Sequence, residues 1–503
     1  MELTKEARRI LEQETLILLT LLLLINKQRD WISIDDLAKK TSYERRTIMK
    51  YLLKLKEQAE IFDSSQELIQ VIKNNKVYCS FKDEIQLVMF ITFIVEQSIS
   101  VQLLKSIFFD EELNRIKFST EHYISESTFR RTIHLFREQI IPFNIQLKSK
   151  KRYYYLIGDE LQIRFYAYLA FWATYQGVSW PFPISEQKVR TTLTQLLGDS
   201  FLSLDHPYQK KLSYLFAVNY HRWKLGHNPV IENETQSVCN TISKKYLETI
   251  DNTSFLRPIN WTENEAIFFL SQLQAEAFIY TTTLGDFFIK NHQSIASNPY
   301  YSLVIHKEEL LNYYSLRLLK ENVRLFDTYS LASHIHASFY NGFVGTLGGY
   351  DSDIISANDY PCLYHEMTSF IRHLQTKYPE QNFENGKYLL YRYTLLFSIV
   401  EKQVFFEPPI YLKFITDQSM VVQNLVCSKI NSIFSHEFNL IFLSSSDTTQ
   451  ADISISTSVI PDLFNYLDRF EATYISNELS SSDSQILRTK FNGIVSSKMG
   501  LNK

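Results

Sequence analysis

Apolar positions recur at helical spacing along most of the chain, and short alternating or continuous apolar runs interrupt that spacing in three regions. In the first region, Ser33 is a predicted N-cap for a short helix, residues 41–43 form a turn, and a second helix runs from Glu44 to about Gln58. Residues 67–81 then alternate in polarity, which predicts a β-hairpin. The second helix is predicted to bury three apolar residues that share one face: Ile48, Leu52 and Leu55.

The same pattern returns 81 residues further along the chain, where Phe129 stands in the place of Ile48. A helix is predicted from Ser127 to Ile140, and residues 143–157 form a predicted hairpin that turns at 148–151. A short helix, a tight turn and a second helix followed by a hairpin are typical of a winged helix-turn-helix domain. The sequence therefore predicts two such domains in tandem.

The rest of the chain has two different patterns. From Asp159 to about Gln403 aromatic-rich helices are separated by prolines, and a weak internal match between Leu212 and Leu331 favours two helical bundles. After Pro408 strands and helices alternate, which predicts a small α/β domain with a parallel sheet and a helix at Leu463 to Glu471. The predicted domains are two winged helix-turn-helix domains at 1–80 and 81–158, helical regulatory bundles at 159–285 and 286–404, and an α/β domain at 405–503.

Composition supports a mainly α multidomain fold, because 12 Gly and 12 Pro among 503 residues allow few tight turns. The four cysteines are far apart in sequence and favour free thiols over disulfides or a zinc site. The longest apolar run, Leu16 to Ile25, is too short for a membrane span and lacks the flanks of a signal peptide. We therefore expect a cytoplasmic protein with no membrane partner.

Charge is nearly balanced overall, at −3, but it is concentrated locally in the two predicted winged domains. Residues 39–56 and residues 130–152 each contain seven basic residues and one acid. Arg131 and Arg137 are predicted to lie on the exposed face of the helix from Ser127 to Ile140, away from its apolar face. Double-stranded DNA is the expected partner of two such patches. The candidate DNA-binding residues are Arg45, Arg46, Thr47, Lys50, Lys54, Ser127, Thr128, Arg130, Arg131, His134, Lys150 and Lys151.

The helical middle contains most of the histidines. His334 and His336 would project to different sides of a helix with no acidic neighbour, so we expect no metal there. His206 follows Asp205 at a predicted helix start and is the best candidate for a reactive imidazole. The glycine-rich stretch 342–349 follows a helix, which favours a helix exit over a phosphate-binding loop. No cofactor and no enzymatic activity are expected.

The tandem helix-turn-helix units, the two histidine-bearing helical repeats and the terminal α/β domain resemble the Mga/AtxA family of transcriptional regulators, most specifically at residues 123–133. The resemblance implies that the repeats are phosphotransferase regulation domains, which receive phosphoryl groups from the phosphocarrier protein of the sugar phosphotransferase system. It implies phosphorylation at His206 and at His334 or His336. The last domain is similar to enzyme IIB but has Asp417 to Ser419 where enzyme IIB has its cysteine, which implies a role in homodimerisation.

Two alternatives remain open from the sequence. One is an RNA-binding antiterminator, because regulation repeats of this kind also occur in such proteins, although those open with a small β domain. The other is a phosphocarrier protein of the phosphotransferase system that uses the terminal domain.

Overall fold

The computed structural model describes residues 11–72, 75–110, 112–230, 233–250, 261–342, 355, 357–381, 383, 385–444, 450–458 and 471–500. The chain divides into two compact units. One comprises Met1–Ser302 and Leu331–Asp351, and the other comprises Leu303–Ser330 and Ser352–Lys503.

The first winged domain opens the first unit. Its elements are α1 (Gln13–Gln28), β1 (Ile32–Ser33), α2 (Ile34–Thr41), α3 (Arg45–Phe62), β2 (Ile69–Ile72) and β3 (Lys76–Cys79). The strands form an antiparallel sheet in the order β1-β3-β2. Ser33 caps α2 by accepting a hydrogen bond from the amide of Asp36, as the sequence predicts. The apolar face of α1 is buried, which anchors α3 and the sheet around one core.

The second winged domain repeats this arrangement. Its elements are α4 (Glu84–Glu96), α5 (Ile99–Phe109), β4 (Leu113–Asn114), α6 (Arg115–Glu121), α7 (Glu126–Ile140), β5 (Gln146–Lys150) and β6 (Tyr153–Ile157). The sheet order is β4-β6-β5, again antiparallel. The wing turns at 151–152, two residues later than the pattern predicts, because Ser149 and Lys150 still pair with β6.

The offset of 81 residues holds at the level of single backbone positions. β1 and α2 begin at Ile32 and Ile34, and β4 and α6 begin 81 residues later. In each copy the first amide of the short helix donates to a carbonyl at the end of the wing, from Ile34 to Asn75 and from Arg115 to Arg152, both at 2.9 Å. The prediction of two winged helix-turn-helix domains is therefore confirmed.

A helical bundle completes the first unit. Its helices are α8 (Glu160–Tyr175), α9 (Glu186–Leu197), α10 (Asp199–Leu202), α11 (His206–Lys224), α12 (Glu234–Leu247), α13 (Glu263–Leu273) and α14 (Thr283–Ser294). Helix α8 follows the second wing directly and packs against α4 and α11. Two further helices, α15 (Asn298–Tyr313) and α16 (Lys320–Phe339), each contribute residues to both units.

The second unit contains α17 (Pro361–Lys377), α18 (Gly386–Val400) and the terminal α/β domain. That domain consists of β7 (Ile410–Ile415), α19 (Met420–Phe434), β8 (Leu440–Leu443), β9 (Ile453–Ser456), β10 (Glu471–Tyr474) and α20 (Ser481–Lys498). All of its strand pairs are parallel, in the order β10-β9-β7-β8, which confirms the predicted parallel sheet.

The predicted helix from Leu463 to Glu471 lies outside the described residues except at Glu471, which begins a strand. Helix α20 is an additional element, and a capping box between Ser480 and Asp483 fixes its start. Within the described residues no single helix is long and apolar enough to cross a membrane. Only α4 and α5 taken together would reach that length, and they are bent by 69° where they meet.

Candidate nucleic-acid interface

The second helix of each winged domain presents one buried and one exposed face. Ile48 and Phe129 are fully buried at equivalent positions. Leu52 and Leu55 on the first of these helices, and Ile133 and Phe136 on the second, are buried with them. Helix α7 is capped by Ser125, whose hydroxyl accepts a hydrogen bond from the amide of Thr128 at 3.2 Å. These contacts fix the axial rotation of each helix, and the polar residues are therefore held toward solvent.

In the first copy the candidate cations divide into two groups. Arg46 and Lys50 are exposed, and neither forms an ion pair with any carboxylate of the described residues. Arg45 binds Asp35 on α2 at 2.9 Å, and the Lys54 ammonium pairs with Glu14 on α1. Thus Arg46 and Lys50 are available to an external anion without breaking an ion pair among the described residues, and the Lys50 ammonium lies 5.2 Å from the centre of the Tyr51 ring.

The remaining candidate of the first copy, Thr47, is half-buried beside them. Lys73, which the charge pattern places at the tip of this wing, lies outside the described residues. Lys76 begins β3 and is exposed.

In the second copy one acidic residue organises the start of α7. Glu126 accepts hydrogen bonds from Arg115 at 2.7 Å and from Arg130 at 2.8 Å. The hydrogen bond from Arg130 is the main reason that the pKa of Glu126 is lowered from its usual value. Arg131 is exposed and forms no ion pair with a described carboxylate, whereas His134 lies 3.3 Å from Glu138. Arg131 therefore corresponds to Lys50 in availability as well as in position.

Hydroxyl groups surround the start of α7. Ser127 and Thr128 lie 2.8 and 3.0 Å from the hydroxyl of Ser125, and Ser127 is exposed while Thr128 is half-buried. Lys150 and Lys151 are exposed on the wing, and Lys151 adopts a left-handed φ of 59° at the turn. The second copy thus presents hydroxyls, Arg131 and two wing lysines to solvent.

Arg137 is exposed, as the charge pattern predicts, and it also makes a contact inside the domain. Its guanidinium donates two hydrogen bonds to the carbonyl of Leu147 on β5, at 3.2 and 3.3 Å. This contact joins the recognition helix to the wing, so the exposed Arg137 side chain also helps to hold the domain together.

A carboxylate joins the two winged domains. Glu12, just before α1, accepts hydrogen bonds from the hydroxyl of Ser98 at 2.7 Å and from the amides of Ile99 and Ser100 at 3.2 and 3.3 Å. Burial alone would raise the pKa of Glu12, but these hydrogen bonds outweigh it and the pKa is lowered. Because the amides belong to the start of α5, Glu12 helps to hold the two copies together, beside the packing of Phe62 and Phe81 on Phe90.

Helix α8 connects the second recognition helix to the bundle, which the sequence did not indicate. The Tyr166 hydroxyl donates to Gln139 on α7 at 3.0 Å. On the same helix, Phe165 stacks on Tyr340 with ring centroids 3.7 Å apart, and Gln162 donates to the carbonyl of Phe339 at 2.7 Å. Side chains of α8 therefore contact both α7 and the end of α16.

A buried charge network holds α8 in place. Arg164 is fully buried and binds Glu160 at 3.0 Å, Asn219 at 2.9 Å and Glu265 at 2.7 Å. Arg222 on α11 binds the same Glu160 through two hydrogen bonds, of 2.9 and 2.7 Å. Every charged group in this network has an opposite charge in contact, which is the condition for keeping charges away from water.

The candidate phosphorylation sites differ in exposure. His206 is exposed and is the first residue of α11, followed by Pro207 in the first turn, as the sequence indicates. His334 and His336 on α16 are each only 2% exposed, and burial lowers the pKa of His334 to about 3. A phosphodonor can reach His206 directly, whereas the other two rings are covered in this conformation.

The loop after β7 is hydrogen-bonded to the segment that follows β9. Asp417 accepts a hydrogen bond from the Ser458 hydroxyl at 2.7 Å, and this contact is the main cause of its lowered pKa. A carboxylate at this place repels a phosphoryl group. Among the described residues, no group of three or more His, Cys, Asp or Glu side chains is arranged to hold a metal ion.

Comparison with known proteins agrees with this geometry. Residues 83–171 match the family model of the Mga helix-turn-helix domain, a stretch that runs from the residue before α4 into α8. The chain is also similar to a candidate trans-acting regulator of Streptococcus pneumoniae serotype 4, with 24% identity over 220 residues. That match covers 43% of this chain and 43% of the relative, so it spans less than half of either protein.

Proposed function

We propose that this chain, an Mga-like regulator with an Mga helix-turn-helix domain at residues 83–171, controls transcription by binding double-stranded DNA. The observation that carries the proposal is the repeated placement of an exposed cation without an internal ion pair, Lys50 in one copy and Arg131 in the other. Such cations bind phosphates or base edges when a recognition helix enters the major groove.

The alternatives for the same cations are less favourable. An ion pair at the surface contributes little to stability, but it occupies the cation and competes with an external anion. Here Arg45, Lys54 and Arg130 form such ion pairs, while Arg46, Lys50 and Arg131 do not. The exposed lysines of the second wing extend the same cationic surface toward the DNA backbone.

The proposal is tested by measuring the affinity for a fluorescent duplex and for an RNA hairpin of equal length. The double variant Lys50→Ala/Arg131→Ala should bind the duplex at least about tenfold more weakly. Lys244→Ala, which removes an exposed lysine of α12 outside the winged domains, should bind like the wild type. Tighter binding of the wild type to the RNA hairpin, or equal affinity of the double variant, would contradict DNA binding.

We propose further that phosphorylation of His206 by the phosphocarrier protein of the sugar phosphotransferase system controls this binding in the cytoplasm. A phosphoryl group at the first residue of α11 would lie at the positive end of the helix dipole. Helix α11 also carries Asn219 and Arg222, which contact Arg164 and Glu160 on α8. A shift of α11 would therefore reach α8 and, through Tyr166, the recognition helix α7.

His334 and His336 remain candidate second sites under this proposal. Their burial means that α16 must move before a phosphodonor can reach either ring. Incubation with phosphoenolpyruvate and the phosphotransferase enzymes should label the wild type with an acid-labile phosphoryl group. His206→Ala should lose most of the label, and undiminished labelling would contradict the assignment. The label that is lost in His334→Gln and in His336→Gln gives the fraction of phosphorylation that occurs at each buried histidine.

We also propose that the chain forms a homodimer through its C-terminal α/β domain. Helix α19 leaves three apolar side chains well exposed, Met420 at 77%, Val421 at 70% and Leu425 at 60%. An exposed apolar face of this kind is typical of a protein interface. Leu425→Glu should convert a dimer to a monomer in sedimentation. Ile486→Glu, at an exposed apolar residue of α20, should leave the dimer intact.

A further inference from the structure

The turn between α6 and α7 contains an aromatic residue in an unusual place. Tyr123 is 95% exposed, more than any other large apolar side chain among the described residues. Its ring takes part in no ring–ring or cation–π contact within the described part of the chain. Burial therefore does nothing to explain a tyrosine at this position.

The backbone at Tyr123 is also unfavourable for a tyrosine. Its φ is 52°, in the left-handed region, and it is the only aromatic residue in that region among the described non-glycine residues. Bulky side chains are rare there, whereas Gly and Asn adopt this conformation readily. The turn itself is well formed, since the amide of Ile124 donates to the carbonyl of Ser119 at 3.0 Å.

The first winged domain shows what this turn requires on its own. Ser42 occupies the equivalent position 81 residues earlier and adopts a φ of 59°. A small polar side chain is thus sufficient to close the turn. A strained residue that the fold does not require is a reason to look for a role in binding.

We propose that Tyr123 is a DNA-contacting residue. Its ring packs against the sugar-phosphate backbone, and its hydroxyl donates a hydrogen bond to a phosphate oxygen. This inference rests on the proposed DNA binding and extends it to a neutral contact. Tyr123 is two residues before Ser125, the N-cap of α7. Because the N-terminal end of a recognition helix enters the major groove, a side chain at this turn lies beside the groove edge. Tyrosine hydroxyls are among the common donors to DNA phosphates.

The charges near the turn fit a polyanionic partner. Arg130 and Arg115 both bind Glu126, so the one acid at the start of α7 is neutralised. Arg131, Ser127 and the wing lysines are exposed on the same domain. Glu121, two residues before Tyr123, lies 3.9 Å from the Lys117 ammonium. A neutral donor on this domain adds a contact without adding charge, and this distinguishes its effect from that of the cations.

The experiment measures the affinity for a random-sequence duplex of about 40 base pairs, enough for two half-sites several turns apart. A contact to the backbone weakens binding to all sequences alike, so a random duplex is a suitable probe. The variants are Tyr123→Phe, which removes the hydroxyl alone, and Tyr123→Asn, which removes the ring and suits the left-handed turn. Ser42→Asn is the matched control in the first copy.

We expect Tyr123→Phe to bind about fivefold more weakly and Tyr123→Asn about tenfold more weakly than the wild type. Tyr123→Asn should also unfold at a higher temperature, since Asn tolerates the left-handed conformation. Neither variant should change the slope of log affinity against log salt, because no charge is removed. Ser42→Asn should bind the duplex like the wild type.

Two results would overturn the inference while leaving DNA binding intact: wild-type affinity in both Tyr123 variants, or weaker binding accompanied by a lower unfolding temperature. The second result would assign Tyr123 a structural role. If the wild type binds the duplex no better than Lys50→Ala/Arg131→Ala, the proposed function itself fails and the inference fails with it.

Discussion

The two winged domains have the same topology and the same order of strands, but they are held in place by different means. In the first copy, polar contacts of the recognition helix stay within the domain: Arg45 binds Asp35 and Lys54 pairs with Glu14. In the second copy, the recognition helix is joined to the bundle by the hydrogen bond between Tyr166 and Gln139. The repeat therefore preserves a binding fold while its attachment differs between the copies.

The two winged domains therefore differ in how they depend on the helical bundle. The first recognition helix makes no such polar contact with the bundle among the described residues, and the first domain contacts the second through Glu12 and through Phe62, which packs on Phe90. A domain attached through α8 responds to any shift of that helix, because α8 also contacts α11 and the end of α16. Under the proposed function, the second copy is therefore the one through which we expect the bundle to alter DNA binding.

The largest effect should come from the charge network that anchors α8. Arg164→Met leaves Glu265 and part of Glu160 buried without their partner, so we expect a loss of about 3–5 kcal/mol in the free energy of unfolding. Urea unfolding measures it. Arg152→Met, at the exposed end of the second wing, is the control and should change stability by less than about 0.5 kcal/mol. A small loss in Arg164→Met would mean that the network does not anchor the second copy.

Acid should also destabilise the second copy more than the first. The His221 ring lies 3.3 Å from the carbonyl of Phe109 at the end of α5, and burial is the main cause that lowers its pKa to about 4. The unfolded chain, with a histidine pKa near 6.5, takes up the proton first, so stability falls as the pH drops from 6.5 to 4. The loss is on the order of 3 kcal/mol.

Residues 1–80 contain no histidine, so the first winged domain serves as the reference for the effect of acid on the region around His221. Hydrogen exchange between pH 6.5 and 4 should show protection lost in α5 and α11 before α1 and α3. His221→Gln should reduce the slope of stability against pH in this window. An unchanged slope in that variant would contradict the role of His221.

Removing the carboxylate of Glu12, which joins the two winged domains, should lower the free energy of unfolding moderately. Glu12→Gln weakens charge-assisted hydrogen bonds to Ser98 and to the start of α5, at a cost of about 1–2 kcal/mol. Since the lowered pKa of Glu12 stabilises the fold above its usual value near 4.5, the variant should also lose less stability than the wild type below that pH. Acid titration of both proteins tests the two statements together.

The smallest effect should be at Lys54. Its ammonium already pairs with Glu14, so Lys54→Ala should weaken DNA binding less than Lys50→Ala on the same helix. An exposed ion pair contributes about 0.2–1 kcal/mol, so the fold should barely change. Fluorescence anisotropy with a duplex compares the two variants directly. Equal losses of affinity would show that DNA replaces Glu14 as the partner of Lys54.

Much of the fold follows from local patterns in the sequence. The buried face of α3 and the cap at Ser33 depend on neighbouring residues. The same pattern recurs 81 residues later, so the sequence contains two independent indications of the winged fold. The capping box at Ser480 and Asp483 was equally local and could have indicated α20. By contrast, the contact between Arg164 and Glu265 joins residues about a hundred positions apart, and no spacing rule indicates it.

The candidate site was predictable in kind but less so in detail. Charge spacing identified Lys50 and Arg131, yet it could not tell that Arg137 would bind the Leu147 carbonyl. It also gave no sign that His336 would be buried, because exposure depends on helix packing. The unusual backbone at Tyr123 is likewise a property of the folded turn.

The central claim is that both winged domains bind one duplex, and the salt dependence of affinity tests it most directly. Each cation that meets DNA contributes about one to the slope of log affinity against log salt. Arg46→Ala/Lys50→Ala and Arg131→Ala/Lys150→Ala should each reduce the slope by about two, and the combined variant by about four. A slope that changes only with the second pair would contradict the claim and confine DNA binding to the second copy.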